Sequence, residues 1–188
     1  MEQLIQNIAN RVPMTPALAT AIKQTFKLET LHKNHQLLES SKTVRKLYFI
    51  QSGVFRTYYF HEDKAVTSWF YKTNQWMTSW HSFYSQQVSF ENMEALENAI
   101  VYSIDLHQYR KLIQAFAPFE RFMRLLLEEH LTFMDFYFKG YMFMSAKAKY
   151  DLLLSYFPDI ELRVKLGYIA SYLGISQATL SRLRNKKK

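Results

Sequence analysis

The clearest chemistry in the chain sits in a short polar and basic run near its end: Ser176, Gln177, Ala178, Thr179, Ser181, Arg182, Arg184 and the lysines Lys186 to Lys188. Hydroxyl, carboxamide and guanidinium groups are the donors and acceptors that match base edges, and cationic side chains pair with phosphate. Their use depends on the segment that holds them, KLGYIASYLGISQATLSRLR at positions 165–184. Its apolar positions are Ile169, Leu173, Ile175, Leu180 and Leu183, and two short helices joined by a tight turn would point all of them inward. Ala170 falls where such helices cross and Gly174 falls at the turn, where positive φ costs least. Ser176 then offers an oxygen to cap the second helix. Gln177, Ala178, Ser181 and Arg182 are left on that helix's outward N-terminal part, the part that reaches a major groove. The spacing predicts a helix-turn-helix; an ordinary helical hairpin, with small residues serving only packing, is the alternative.

Charge placement supports the same segment. The chain has 188 residues and a formal net charge of +8. Residues 1–144 hold 15 basic and 13 acidic groups, whereas residues 145–188 hold 9 basic and 3 acidic. The surplus therefore sits with the helix-turn-helix, and a patch of that sign attracts a polyanion. Zero cysteines exclude disulfides, thiolate metal sites and a redox-sensing thiol. His32, His35, His61, His81, His107 and His130 show no paired ligand spacing. No metal, cofactor or catalytic set is expected. No long uncharged apolar run is present and the N-terminus has no apolar signal core, so a soluble cytoplasmic protein is expected.

The elements that must position this segment differ in texture along the chain. Residues 2–10 read as a short helix, and Thr15-Pro16 as the capped start of another reaching about Phe26. Lys27 to Ile104 is rich in Val, Ile, Thr, Tyr, Phe and Trp with polar breaks, which predicts an antiparallel β-barrel or sandwich. Leu47–Phe60 reads as two strands joined through Ser52-Gly53, and Ala65–Tyr71 as a further strand. Residues 118–144 carry two apolar stripes at helical spacing: Met123, Leu126, His130, Phe133 and Tyr137, and Leu127, Leu131, Met134, Phe138 and Tyr141. A long helix apolar on two sides must be covered twice, once by the β domain and once by a partner, for which a second copy is the simplest candidate. Ser145–Phe157 reads as another helix, stopped by Pro158.

Taken in order, LYFIQSGVFRTYY, ALENAIVYSIDLHQYRKLI and VKLGYIASYLGISQATLSRLR make the chain resemble the Crp/Fnr superfamily of transcription regulators. The resemblance implies an α+β fold: an N-terminal antiparallel β-barrel of jelly-roll type over 1–117, a long dimerisation helix over 118–144, and a small helix-turn-helix domain over 145–188. It implies a homodimer on a near-palindromic DNA site, with RNA polymerase as a further partner. Ser176, Gln177, Ala178 and Arg182 match positions that contact phosphate or bases. On this reading Arg182 and Gln177 read bases, while Ser176, Thr179, Arg184 and Lys186 to Lys188 hold phosphates. The chain ends soon after the second helix, so the β-wing of many relatives is expected to be missing.

The resemblance also carries departures. Ser79 stands where the cyclic-AMP-binding members have a ribose-binding glutamate, and Ser89-Phe90 where they have a phosphate-binding arginine-serine or arginine-threonine pair. A cyclic phosphate would enter an apolar cavity with its charge uncompensated, so no cyclic-nucleotide response is expected. Trp76, Ser79, Trp80, Phe83 and Ser89 are the candidate effector-pocket residues, with simple filling of the space by these rings as the alternative. A ligand-binding or enzymatic cupin-like β-barrel with a helical tail for protein contacts is the competing reading of the whole chain.

Overall fold

A computed structural model describes residues 1–185 of the chain. Lys186 to Lys188, expected to hold phosphate, lie outside the described residues. Two helices open the structure, α1 (Glu2–Ala9) and α2 (Pro16–Thr25). The Thr15 hydroxyl accepts the Leu18 N–H and Pro16 takes the first helical position, where its missing donor costs nothing. Leu4, Ile8, Leu18 and Ile22 are fully buried against the β domain.

Eight strands follow: β1 (Lys27–Leu31), β2 (Gln36–Leu38), β3 (Lys46–Ser52), β4 (Val54–His61), β5 (Lys64–Lys72), β6 (Trp76–Met77), β7 (Asn92–Ala95) and β8 (Ala99–Asp105). They form two four-stranded antiparallel sheets ordered β1-β8-β3-β6 and β2-β7-β4-β5, the strand order of a jelly roll. Tyr48, Ile50 and Val101 from one sheet meet Phe55, Met93 and Ala95 from the other in a shared core. The strands expected on either side of Ser52-Gly53 are present but do not pair: β3 bonds β6 and β8, whereas β4 bonds β5 and β7. Gly53 carries the chain between sheets at φ +118°, and a Cβ there would lie 2.5 Å from the Ala99 Cβ. The β4–β5 hairpin closes through Glu62 and Asp63, both at positive φ, the turn whose twist matches the strands.

A short helix, α3 (Trp80–Ser85), precedes β7, and α4 (Leu106–Ala115) follows β8 with Asp105 capping its first turn. The spine helix α5 (Ala117–Lys139) is shorter than the expected 118–144: it stops at Gly140 and yields to a 3-10 turn at Tyr141–Phe143. A Cβ on Gly140 would lie 3.0 Å from the Phe136 carbonyl oxygen, so glycine lets this turn close tightly. The first stripe behaves as expected, with Phe133 against Trp69 and His130 against Trp80. The second divides. Leu131 and Phe138 are 70% and 62% exposed, whereas Tyr141 is buried and stacks 4.8 Å from Tyr137.

Four helices complete the described residues: α6 (Ala146–Tyr156), α7 (Ile160–Arg163), α8 (Leu166–Leu173) and α9 (Gln177–Asn185). Ser145 caps α6 through the Ala148 N–H. These helices do not stand apart from the sandwich: Val54, Phe70 and Leu96 share a core with Leu153, Phe157, Ile169 and Leu173. Among the described residues no helix is long and apolar enough to cross a membrane.

Candidate nucleic-acid interface

Helices α8 and α9 form the expected helix-turn-helix. Gly174 takes the left-handed conformation at φ +68°, and the Ile175 N–H bonds the Ala170 carbonyl while the Gly174 N–H bonds that of Ser171. This is a Schellman end, which satisfies two carbonyls that α8 would otherwise leave open. Ile169, Ala170, Leu173 and Leu180 are buried, and Ile175 and Leu183 half-buried. The Ser176 hydroxyl accepts the Thr179 N–H at 3.1 Å and lies 3.0 Å from the Thr179 hydroxyl, so α9 begins where the capping residue requires.

Gln177, Ala178, Ser181 and Arg182 are exposed together on α9. Arg182 makes no ion pair among the described residues. Arg184 is held instead by Glu161 at 2.7 Å, and Glu161 also accepts from the Tyr150 hydroxyl at 2.7 Å. A Cβ added to Gly167 would lie 2.9 Å from the Gln177 Nε2, so the Gln177 carboxamide rests over the α8 backbone.

The unit is fixed to the β4–β5 ribbon by contacts that no local pattern announces. Arg56, buried to 5% exposure, pairs with Glu94 at 2.5 Å, bonds the Thr67 hydroxyl and lies between the rings of Tyr58 and Tyr168. The Thr67 N–H donates to the Ser171 hydroxyl at 3.0 Å, and in α7 Arg163 pairs with Glu97 of the loop between β7 and β8. An isolated arginine amid the apolar run of β4 is the one signal that could have exposed this anchor.

Between the β4–β5 ribbon, α5, α6 and α8 lies a cleft of about 810 Å³. Two effector-pocket candidates, Trp76 and Trp80, line it. The other three, Ser79, Phe83 and Ser89, do not. Phe83 is fully buried against Tyr84 and Tyr109. Ser89 is buried and donates to the Ser79 hydroxyl at 3.2 Å. Sequence reading missed the half-buried Glu91, together with Tyr71 and His130, which also line the cleft. Burial raises the Glu91 carboxyl above the usual range and lowers the His130 imidazole below it. Among the described residues no three potential ligands converge to hold a metal ion.

Neither a family model nor a curated protein sequence matches the chain. Solved structures do match. A mutant of CooA from Carboxydothermus hydrogenoformans is 19% identical, with a TM-score of 0.70 over 97% of this chain and 83% of that one. A regulator assigned to the Crp/Fnr family from Eubacterium rectale is 18% identical, with a TM-score of 0.68 over 93% and 85% of the two chains. The c-di-GMP responsive regulator CLP from Xanthomonas campestris is 12% identical, with a TM-score of 0.67 over 92% and 91%. Over nearly its whole described length, this chain has the fold of the Crp/Fnr regulators.

Proposed function

We propose that the protein is a homodimeric, sequence-specific DNA-binding transcription regulator of the Crp/Fnr type, unresponsive to cyclic AMP. One observation carries this reading: Gln177, Ala178, Ser181 and Arg182 stand exposed on the capped N-terminal half of α9, with the packed face of the motif turned inward. That is the presentation a recognition helix needs to enter a major groove. In this reading the chain divides into an effector domain (1–117), a dimerisation segment (118–144) that contains most of α5, and a DNA-reading domain (145–188). Arg182 and Gln177 read bases, Ser176, Thr179 and Lys186 to Lys188 hold phosphates, and Arg184 joins them on release from Glu161.

Dimerisation is supported by the outward side of α5. Leu131 is 70% exposed at one end of a shallow groove shared with Tyr109, Ile113, Met123 and Leu127. Tyr109 and Met123 are already buried within the chain, and a second spine laid along the groove would cover Ile113, Leu127 and Leu131. Indifference to cyclic AMP is supported by positions 89 and 90, where a serine and a phenylalanine supply no cation for a phosphate.

Selection from random duplexes tests the reading. Enrichment of a palindrome with half-sites about one helical turn apart is the expected result. No enrichment at low ionic strength contradicts it.

A further inference from the structure

The walls of the cleft are chemically lopsided. Rings of Trp69 and Tyr71 from β5, Trp80 from α3, Tyr137 from the spine and Tyr172 from α8 all line it. One guanidinium reaches it, that of Arg11, and Glu129 already neutralises it at 3.0 Å. Burial lowers the His130 imidazole below its ordinary value, which favours its neutral form. What remains is Glu91. Its carboxyl has the Ser79 and Ser68 hydroxyls within hydrogen-bonding reach and the His81 imidazole nearby, and it forms no ion pair among the described residues.

A carboxylate beside several ring faces attracts positive charge twice, by direct Coulomb attraction and through the negative faces of the rings. The same wall offers an anion no unpaired guanidinium or ammonium group to offset its lost hydration. At about 810 Å³ the cleft has room for a small organic molecule. We propose that it binds a small organic cation, an ammonium group on an aromatic or branched apolar body, with Glu91 as counter-ion and the surrounding rings as its cage. This names the effector class for the regulator described above and depends on that reading for its biological role; the binding itself does not. Because sandwich, spine and helix-turn-helix each contribute a wall, occupancy ties the three together.

Calorimetry on the full chain tests this with matched probes: 2-phenylethylamine and phenyltrimethylammonium as cations, 2-phenylethanol as the neutral analogue, and 3-phenylpropionate as the anion. Both cations should bind at least about ten-fold more tightly than the alcohol or the acid. Glu91→Gln should erase that preference while leaving circular dichroism and native mass unchanged. Equal or tighter binding of the acid or alcohol, no saturable heat from either cation at about millimolar concentration, or a preference retained in folded Glu91→Gln overturns the proposal. The ranking of probes on the unaltered chain decides the matter even if the variant does not fold. A duplex selection without enrichment removes the regulatory role and leaves these binding outcomes standing.

Discussion

The guanidinium carbon of Arg56 lies 3.5 Å from the centroid of the Tyr168 ring, joining the fourth strand of the sandwich to the first helix of the helix-turn-helix. Arg56 is buried, Tyr168 is half-buried, and Arg56 also neutralises Glu94, so it serves both as anchor and as counter-ion. Tyr168→Ala should lower stability by about 1–2 kcal/mol, and Tyr168→Phe, which keeps the ring face, by much less. Arg56→Ala leaves Glu94, whose side chain is 14% exposed, without its partner and should cost up to about 3 kcal/mol. Urea unfolding followed by tryptophan fluorescence measures all three; equal losses for the two Tyr168 variants would refute the ring contact.

Gly167 tests whether Gln177 is positioned by the helix beneath it. Gly167→Ala adds a methyl 2.9 Å from the Gln177 Nε2, a flexible side-chain end that moves at little cost. The helix gains about 0.5–1 kcal/mol from the replacement. Thermal unfolding should therefore shift slightly upward while base preference changes at the position that Gln177 reads. An unchanged preference would place Gln177 outside the reading set.

Acidification should expose the opposed shifts of His130 and Glu91. Burial keeps the folded His130 imidazole below its ordinary value of 6.5, so the unfolded chain binds more protons as pH falls through that region. Its contribution to stability is present above that value and is lost on acidification. Glu91 acts the other way: its raised folded value means that protonation on acidification relieves a cost. His130→Phe should flatten the decline in unfolding midpoint between about pH 7 and pH 5, and Glu91→Gln should steepen it. The same slope in both variants would contradict these assignments.

Much of this architecture was legible because it rests on short-range chemistry. Thr15-Pro16, Gly174 and Ser176 each dictate a local backbone event, and the apolar spacing of Ile169, Leu173 and Leu180 encodes its own packing. The switch of sheets at Gly53 was hidden because a strand pair and a sheet crossing share one local pattern; the Ala99 contact that forces glycine lies far along the chain. Arg56 and Tyr168, 112 positions apart, meet only after the C-terminal helices fold back on the β4–β5 ribbon. The early stop of α5 turns on a single glycine in an otherwise helical run. Phe83 and Ser79 resembled pocket residues by matched position, yet packing against Tyr109 and bonding to Ser89 occupy them.

Removing Lys186 to Lys188 separates positioning from reading. The truncated chain should bind all duplexes more weakly and lose roughly 0.9 in the slope of log affinity against log salt for each phosphate contact removed. Filter binding across a salt series measures this. A loss confined to the preferred site would assign these lysines to base reading instead.

The most direct test is Arg182→Ala assayed by sedimentation and fluorescence anisotropy on the selected duplex and on a scrambled one. Two chains per selected duplex are expected, with the variant losing about 1–3 kcal/mol on that duplex and little on the scrambled one. One chain per duplex, or an even loss on both sequences, would contradict a paired recognition helix reading DNA through Arg182.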